Sequence, residues 1–260
     1  MKIALYQNNP QFGQIKENTD QVLHDIRNSR LDILVLPELF ATGYQFHNRQ
    51  EARSLSETSG QGYVYNAVRD FSAEKDCLVI YGFPESARDK LYNSALAMFP
   101  DGHHLVYRKT HLFDTEKQIF NPGDTGFFVF QFKTARLGIM ICFDWRFPES
   151  ARRLSLLGAQ LICHPSNLVM PHGPESLKTR ALENGVFIVT SDRVGDENRT
   201  GQELHFIGKS RIIGPSGEVL GEMGETQTGL LMVDLDPQLA DNKQITPNNN
   251  LFADRRPGFY

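Results

Sequence analysis

Short apolar runs rich in β-branched residues recur along this 260-residue chain, and polar stretches of helical period separate them. Residues 2–7 (KIALYQ) and 33–36 (ILVL) are strand-like. Between them Asn18 to Arg30 is polar, with Val22, Leu23 and Ile26 at helical spacing, which predicts a helix with one buried stripe. A β-α-β order makes a parallel strand pair, so the chain opens as an α/β protein. A helix over 61–74 and a strand over 77–83 (CLVIYGF) extend the pattern. Strands over 91–99 and 104–109 flank Pro100-Asp101-Gly102, a turn whose residues preset its dihedrals, and predict a hairpin.

The segment 110–125 reads as an ordered surface loop, followed by a strand pair over 126–132 and 135–142. Pro148 suits the first turn of a helix reaching about Leu157, and Gly158 ends it. A buried strand over 160–164, a helix over 174–184 and a strand over 186–191 come next. Runs at 206–213, 218–223 and 229–235 predict an antiparallel meander, and 241–260 is a polar tail poor in core residues. No repeat, low-complexity tract or linker divides the chain, so 1–260 is expected to be a single domain with a mixed-sheet sandwich.

Composition removes several function classes. With 27 Lys and Arg against 31 Asp and Glu the formal charge is -4, which lacks the basic stripe of a nucleic-acid surface. No run of 18 apolar residues exists to cross a membrane, and the first residues turn polar too soon for a signal peptide, so a cytoplasmic location is expected. Three cysteines are too few, and odd in number, for a disulfide framework. No His-Glu-x-x-His or clustered Cys/His spacing predicts a metal.

The remaining question is which thiol reacts. Cys77 opens an apolar strand and Cys163 sits inside LICH; both are read as core residues, the usual fate of a free cysteine. Cys142 instead ends the run Leu137 to Ile141, just before a helix that begins at Pro148. A strand-to-helix turn presents a nucleophile outward and places backbone N–H groups where an oxyanion would form. A thiol with an ordinary pKa near 8.5 needs an activating partner. None of the eight histidines has a diagnostic spacing to Cys142. Two other ionisable residues do stand at strand ends: Glu38 just past ILVL, and Lys109 at the end of the strand over 104–109. Carboxyl ends of strands are where α/β sheets bind ligands.

The segments LPELF, YRKTHLF and GIMICFDWRFPE, in that order, resemble the signatures of the nitrilase superfamily of carbon–nitrogen hydrolases. The resemblance runs over nearly the whole chain and implies a four-layer αββα sandwich with a Glu38, Lys109 and Cys142 triad. It also implies that Glu116, seven residues past Lys109, is a second site glutamate. The implied reaction attacks a small linear amide or N-carbamoyl compound through a thioester on Cys142, with Lys109 and the Phe143 N–H on the oxyanion and no cofactor. An aliphatic nitrilase using the same triad is the alternative. A non-catalytic binding protein is disfavoured because all three residue types are present, and a thiol redox protein because no Cys-x-x-Cys occurs.

Pocket candidates leave the same sheet edge. Trp145 and the loop 167–172, with Asn167, are expected there, and Tyr44 and Phe46 follow Glu38. Arg146 is expected either to clamp a substrate carboxylate or to pair with Glu149. The resemblance further implies a homodimer or higher homo-oligomer, with the 241–260 tail reaching a partner.

Overall fold

The computed structural model describes residues 1–259; Tyr260, the end of the expected tail, lies outside the described residues. The opening unit is β1 (Lys2–Gln7), α1 (Ile15–Ile26) and β2 (Ile33–Val35), with β1 and β2 parallel as their pattern predicts. A short helix absent from the sequence reading, α2 (Arg49–Ser54), begins where the Asn48 side chain accepts the Glu51 N–H. Next come α3 (Tyr63–Lys75) and β3 (Leu78–Ala87), which is parallel to β2. Strand β3 continues past Phe83 through Pro84, since it pairs from Val79 to Ala87 with antiparallel β4 (Lys90–Met98). Strand β5 (His104–Arg108) then completes the hairpin expected across Pro100-Asp101-Gly102.

The stretch expected as a loop contains α4 (Glu116–Ile119). Strands β6 (Val129–Phe132) and β7 (Ala135–Ile139) pair antiparallel. Strand β7 ends three residues before Cys142, and Cys142–Arg146 winds into a 3-10 turn. Helix α5 (Pro148–Leu156), β8 (Leu161–Pro165), α6 (Gly173–Asn184) and β9 (Phe187–Ser191) follow, with β7, β8 and β9 parallel. The run 206–213 is two strands, not one. Strand β10 (Val194–Glu197) pairs with β11 (Leu204–Ile207) as a separate hairpin, and Gly208 turns the chain into β12 (Arg211–Ile213). Strand β13 (Val219–Glu222) pairs with β12, but β14 (Gly229–Asp234) pairs antiparallel with β1 instead of with β13, so the expected meander is split between two sheets.

The strands form two six-stranded mixed sheets, ordered β14-β1-β2-β3-β4-β5 and β13-β12-β9-β8-β7-β6. Alternation along the strands decides the layers. Ile3, Leu5, Ile33, Val35, Leu78 and Ile80 share a core with Leu137, Leu161 and Val189 of the second sheet. The intervening Ala4, Tyr6, Leu34 and Val79 pack on Val22 and Ile26 of α1 and Val64, Val68 and Phe71 of α3. Leu154 of α5 and Leu177 and Ala181 of α6 cover the outer face of the second sheet. The result is the αββα sandwich, each buried Leu or Ile contributing about 1.5–3 kcal/mol.

The tail is anchored on its own chain. Lys243 Nζ donates to the carbonyls of Asn184 at 3.0 Å and Gly185 at 2.6 Å, the free end of α6. The small hairpin β15 (Gln244–Thr246) and β16 (Asn249–Asn250) follows, and Phe252 lies under the Lys243 ammonium. No helix among the described residues is long and apolar enough to cross a membrane.

Candidate active site

The carboxyl ends of parallel strands in both sheets converge on one buried cluster. Glu38 follows β2 by three residues and is fully buried. Its loop lies directly against β3: a Cβ on Gly82 would sit 2.5 Å from the Glu38 Cα. Glycine is needed there for close approach of two backbones. Lys109 follows the last residue of β5 and is also buried, and a Cβ on Gly123 would meet the Arg108 carbonyl oxygen at 2.1 Å. Two close backbone contacts therefore fix the acid and the base residue.

Lys109 Nζ donates to Glu38 Oε1 at 2.7 Å and to Glu116 Oε1 at 2.8 Å. Asn93 Nδ2 on β4 donates to the same two oxygens, at 2.7 and 3.3 Å. Glu116 Oε2 accepts the Phe113 N–H at 2.9 Å. Both oxygens of Glu116 are thus occupied, whereas Glu38 Oε2 is buried with no hydrogen-bond partner among the described residues. An orphaned carboxylate oxygen in a protein interior is costly and marks a group held ready for chemistry.

Cys142 is buried, and its Sγ lies 3.7 Å from the Asn167 carbonyl oxygen. Its backbone is left-handed, at φ 37°, a strain of about 1–3 kcal/mol that surrounding contacts must hold. Asp144 supplies them. Its Oδ2 accepts the Ile141 N–H at 2.8 Å and the Tyr107 hydroxyl at 2.7 Å, and its Oδ1 accepts the His111 N–H at 3.1 Å. His111 Nδ1 lies 2.7 Å from the same Oδ1. One buried carboxylate thereby ties the nucleophile turn to the Lys109 segment.

Electrostatics give each group a direction. Burial pushes the Cys142 thiol well above its ordinary value; Glu38 adds to this and Lys109 opposes it, so the resting sulfur carries its proton. Burial raises Glu38 to about 7, against the pull of Lys109. Burial alone would lower Lys109, but Glu116 and Glu38 outweigh it and the ammonium is retained. The arrangement is a neutral thiol beside a carboxylate near its titration point, rather than a thiolate–imidazolium pair. His164 comes near Cys142 but bonds its backbone oxygen, Nε2 to O at 2.9 Å, and burial lowers it to about 4. Cys77 and Cys163 lie in the two cores, the former pushed up to about 12 by burial.

The structure sorts the other expected residues. Tyr44 is buried beside the cluster; after burial, the charges of Glu116, Glu38 and Cys142 raise its hydroxyl pKa. With Glu116 and Phe46 it lines a small cavity of about 100 Å³. Asn167 is buried, both its side-chain polar atoms lack partners among the described residues, and its backbone oxygen meets the thiol. Phe143 stacks obliquely on Phe113 with its amide at the start of the 3-10 turn. Trp145 belongs to the core, its carbonyl accepting from Arg180, and does not line the cavity. Arg146 is exposed, its guanidinium 5.5 Å from the centre of the Trp145 ring. Sequence reasoning missed Asn93 and Asp144. A lone Asn in an apolar run and an Asp two residues past the cysteine were the available signals.

Missed too was the β10–β11 hairpin that walls the cavity. Arg193 pairs with Glu197 in the interior, and Glu197 Oε2 accepts the Gln45 N–H at 2.7 Å. The hairpin thus positions the segment that carries Tyr44.

An αββα sandwich with a buried thiol, a carboxylate–lysine–carboxylate set and a strained nucleophile turn has the parts of a cysteine-dependent hydrolase. The family model described as carbon-nitrogen hydrolase matches residues 2–243, and the chain belongs to that family, within the nitrilase superfamily. It is 42% identical over its full length to a protein named nitrilase from Pyrococcus abyssi, covering 99% of that protein. It is 32% identical to an N-carbamoylputrescine amidase of Solanum lycopersicum, across 88% of this chain and 82% of the relative. The solved structure of an amidase from Nesterenkonia sp. superposes with a TM-score of 0.84 at 27% identity, covering 100% of this chain and 94% of that one.

Proposed function

We propose that this protein hydrolyses a small linear amide or N-carbamoyl compound through a thioester on Cys142. The observation that carries the reading is the asymmetry of Glu38: one oxygen is saturated by Lys109 and Asn93, the other has no partner among the described residues, and the carboxylate's charge acts on the Cys142 thiol. Glu38 takes the Cys142 proton as sulfur attacks the carbonyl carbon. The oxyanion is stabilised by the Lys109 ammonium and the Phe143 N–H, each such donor being worth about 2.7–4 kcal/mol of barrier. Glu38 returns the proton to the leaving nitrogen, and ammonia departs. Water then attacks the thioester, Glu38 takes its proton, and the acid and the free thiol are released. Glu116 holds Lys109 in place, and Tyr44 and Asn167 border the substrate. Every proton is moved by this chain's own side chains.

An aliphatic nitrilase is the second reading, favoured by the name of the Pyrococcus abyssi relative. There the same sulfur attacks the nitrile carbon and forms a thioimidate. An ammonia-release screen over short amides, N-carbamoyl acids and aliphatic nitriles, with Cys142→Ala as blank, separates the two. Acid formed from amides but not from nitriles supports the amidase; undiminished release by the blank removes both.

A further inference from the structure

The peptide unit that joins Cys142 to Phe143 is gripped from behind. Its N–H, on Phe143, is the oxyanion donor of the proposed reaction, and its oxygen, on Cys142, faces a histidine. His164 Nε2 lies 2.9 Å from that oxygen and 3.1 Å from Ser166 Oγ. The other ring nitrogen, Nδ1, lies 3.1 Å from Thr190 Oγ1. His164 on β8 and Thr190 on β9 are direct cross-strand partners, and both are buried.

These contacts settle the tautomer. A carbonyl oxygen only accepts, so Nε2 carries the proton and Nδ1 accepts from the Thr190 hydroxyl. The Ser166 hydroxyl has its own acceptor in the His164 carbonyl oxygen, at 3.2 Å, and leaves its lone pairs for Nε2–H. The one N–H of the neutral ring is thus occupied by the nucleophile's backbone and not by its sulfur.

A peptide unit is planar, with its oxygen and its N–H pointing opposite ways, so a grip on the oxygen sets the direction of the N–H. The restraint matters here because Cys142 is left-handed at φ 37°, and Asp144 bonds the chain at Ile141, on the other side of the cysteine. A hydrogen bond to the oxygen also polarises the amide and strengthens its N–H as a donor.

We infer that His164 is a positioning residue: locked by Thr190, its Nε2–H clamps the Cys142 carbonyl and thereby aims the Phe143 N–H at the oxyanion. The inference rests on the thioester reading of the same site and deepens it.

Two thiol reagents separate this aim from the reactivity of the sulfur. With propanal the Cys142 sulfur adds to the carbonyl carbon, the thiol proton passes to Glu38, and the carbonyl electron pair becomes an oxyanion like that of the amide intermediate. With methyl methanethiosulfonate the same sulfur bonds to the thiomethyl sulfur, methanesulfinate leaves with the electron pair, and the proton again goes to Glu38. No tetrahedral oxyanion forms in that second reaction. Propanal affinity is read by NMR with a carbonyl-labelled aldehyde, and thiosulfonate labelling by mass spectrometry of the Cys142 peptide.

His164→Leu, which removes the donor, should weaken propanal binding about 10–100-fold. Its thiosulfonate labelling rate should stay within about threefold of the native rate, because the nucleophile and its base are untouched. His164→Gln, which keeps an N–H at similar reach, should recover most of the aldehyde affinity. Thr190→Val should show the same split at severalfold size, and carries the test if His164→Leu does not fold. Four results would overturn the inference: no propanal adduct on the native protein, unchanged aldehyde affinity in His164→Leu and Thr190→Val, labelling that falls in step with affinity, or His164→Gln as impaired as His164→Leu. Neither reagent requires amide turnover. Ammonia release undiminished in Cys142→Ala rejects the thioester reading whatever His164 does, whereas the changes in the His164 and Thr190 variants bear on the clamp alone.

Discussion

Glu38 illustrates how a single residue acquires its role from what surrounds it. Its Oε1 is bonded twice, by Lys109 and Asn93, while Oε2 is buried without a partner among the described residues. Burial raises its pKa to about 7, against Lys109. As a base it acts only when ionised, so kcat/KM should fall as pH drops through about 7, tenfold per unit well below it. Glu38→Gln should lower kcat by about 10²–10⁴-fold and abolish that acid limb; a limb unchanged in the variant would assign the titration elsewhere. At this scale the sequence was informative where chemistry follows strand ends: Glu38, Lys109, Glu116 and Cys142 are brought together. Asn93 and Asp144 were not legible, because their bonds span 55 residues to Glu38 and 37 to Tyr107.

Between elements, two glycines set how closely the site loops approach the sheet. The added methyl of Gly82→Ala would press on the backbone of Pro37 to Leu39. Neither backbone can give way as a side-chain tip would. The variant is expected to lose about 1–3 kcal/mol of stability, seen as a lowered Tm. It should also lose about 10²-fold in kcat/KM, since Glu38 would shift. A Tm drop with full activity would show that the loop relaxes without moving the carboxylate. The strand–helix alternation was readable from periodicity, and the boundaries were less so. Strand β3 outran its apolar run because β4 pairs with it as far as Ala87. Strand β10 and its hairpin with β11 escaped notice because a buried Arg193–Glu197 pair, not an apolar alternation, holds β10 in place.

Across the whole molecule, the αββα layering follows from alternating faces on both sheets, and the polar tail is held by Lys243 at the end of α6. Its anchorage rests on one lysine and a few side chains, which composition alone could not reveal. Exposed Leu182, Leu220, Leu239 and Ile245 lie around this same region. We propose that the protein is a homodimer or higher homo-oligomer with the tail region in the contact. Light scattering should give at least twice the 29.5 kDa chain mass, and a monomer at micromolar concentration would refute this.

The central claim is that Cys142 carries the acyl group. Acid quench during turnover of a short amide, followed by peptide mass spectrometry, tests it most directly. The expected result is an acyl adduct on the Cys142 peptide, lost in Cys142→Ala together with ammonia release. An adduct on Cys77 or Cys163, or turnover preserved in Cys142→Ala, would contradict the account.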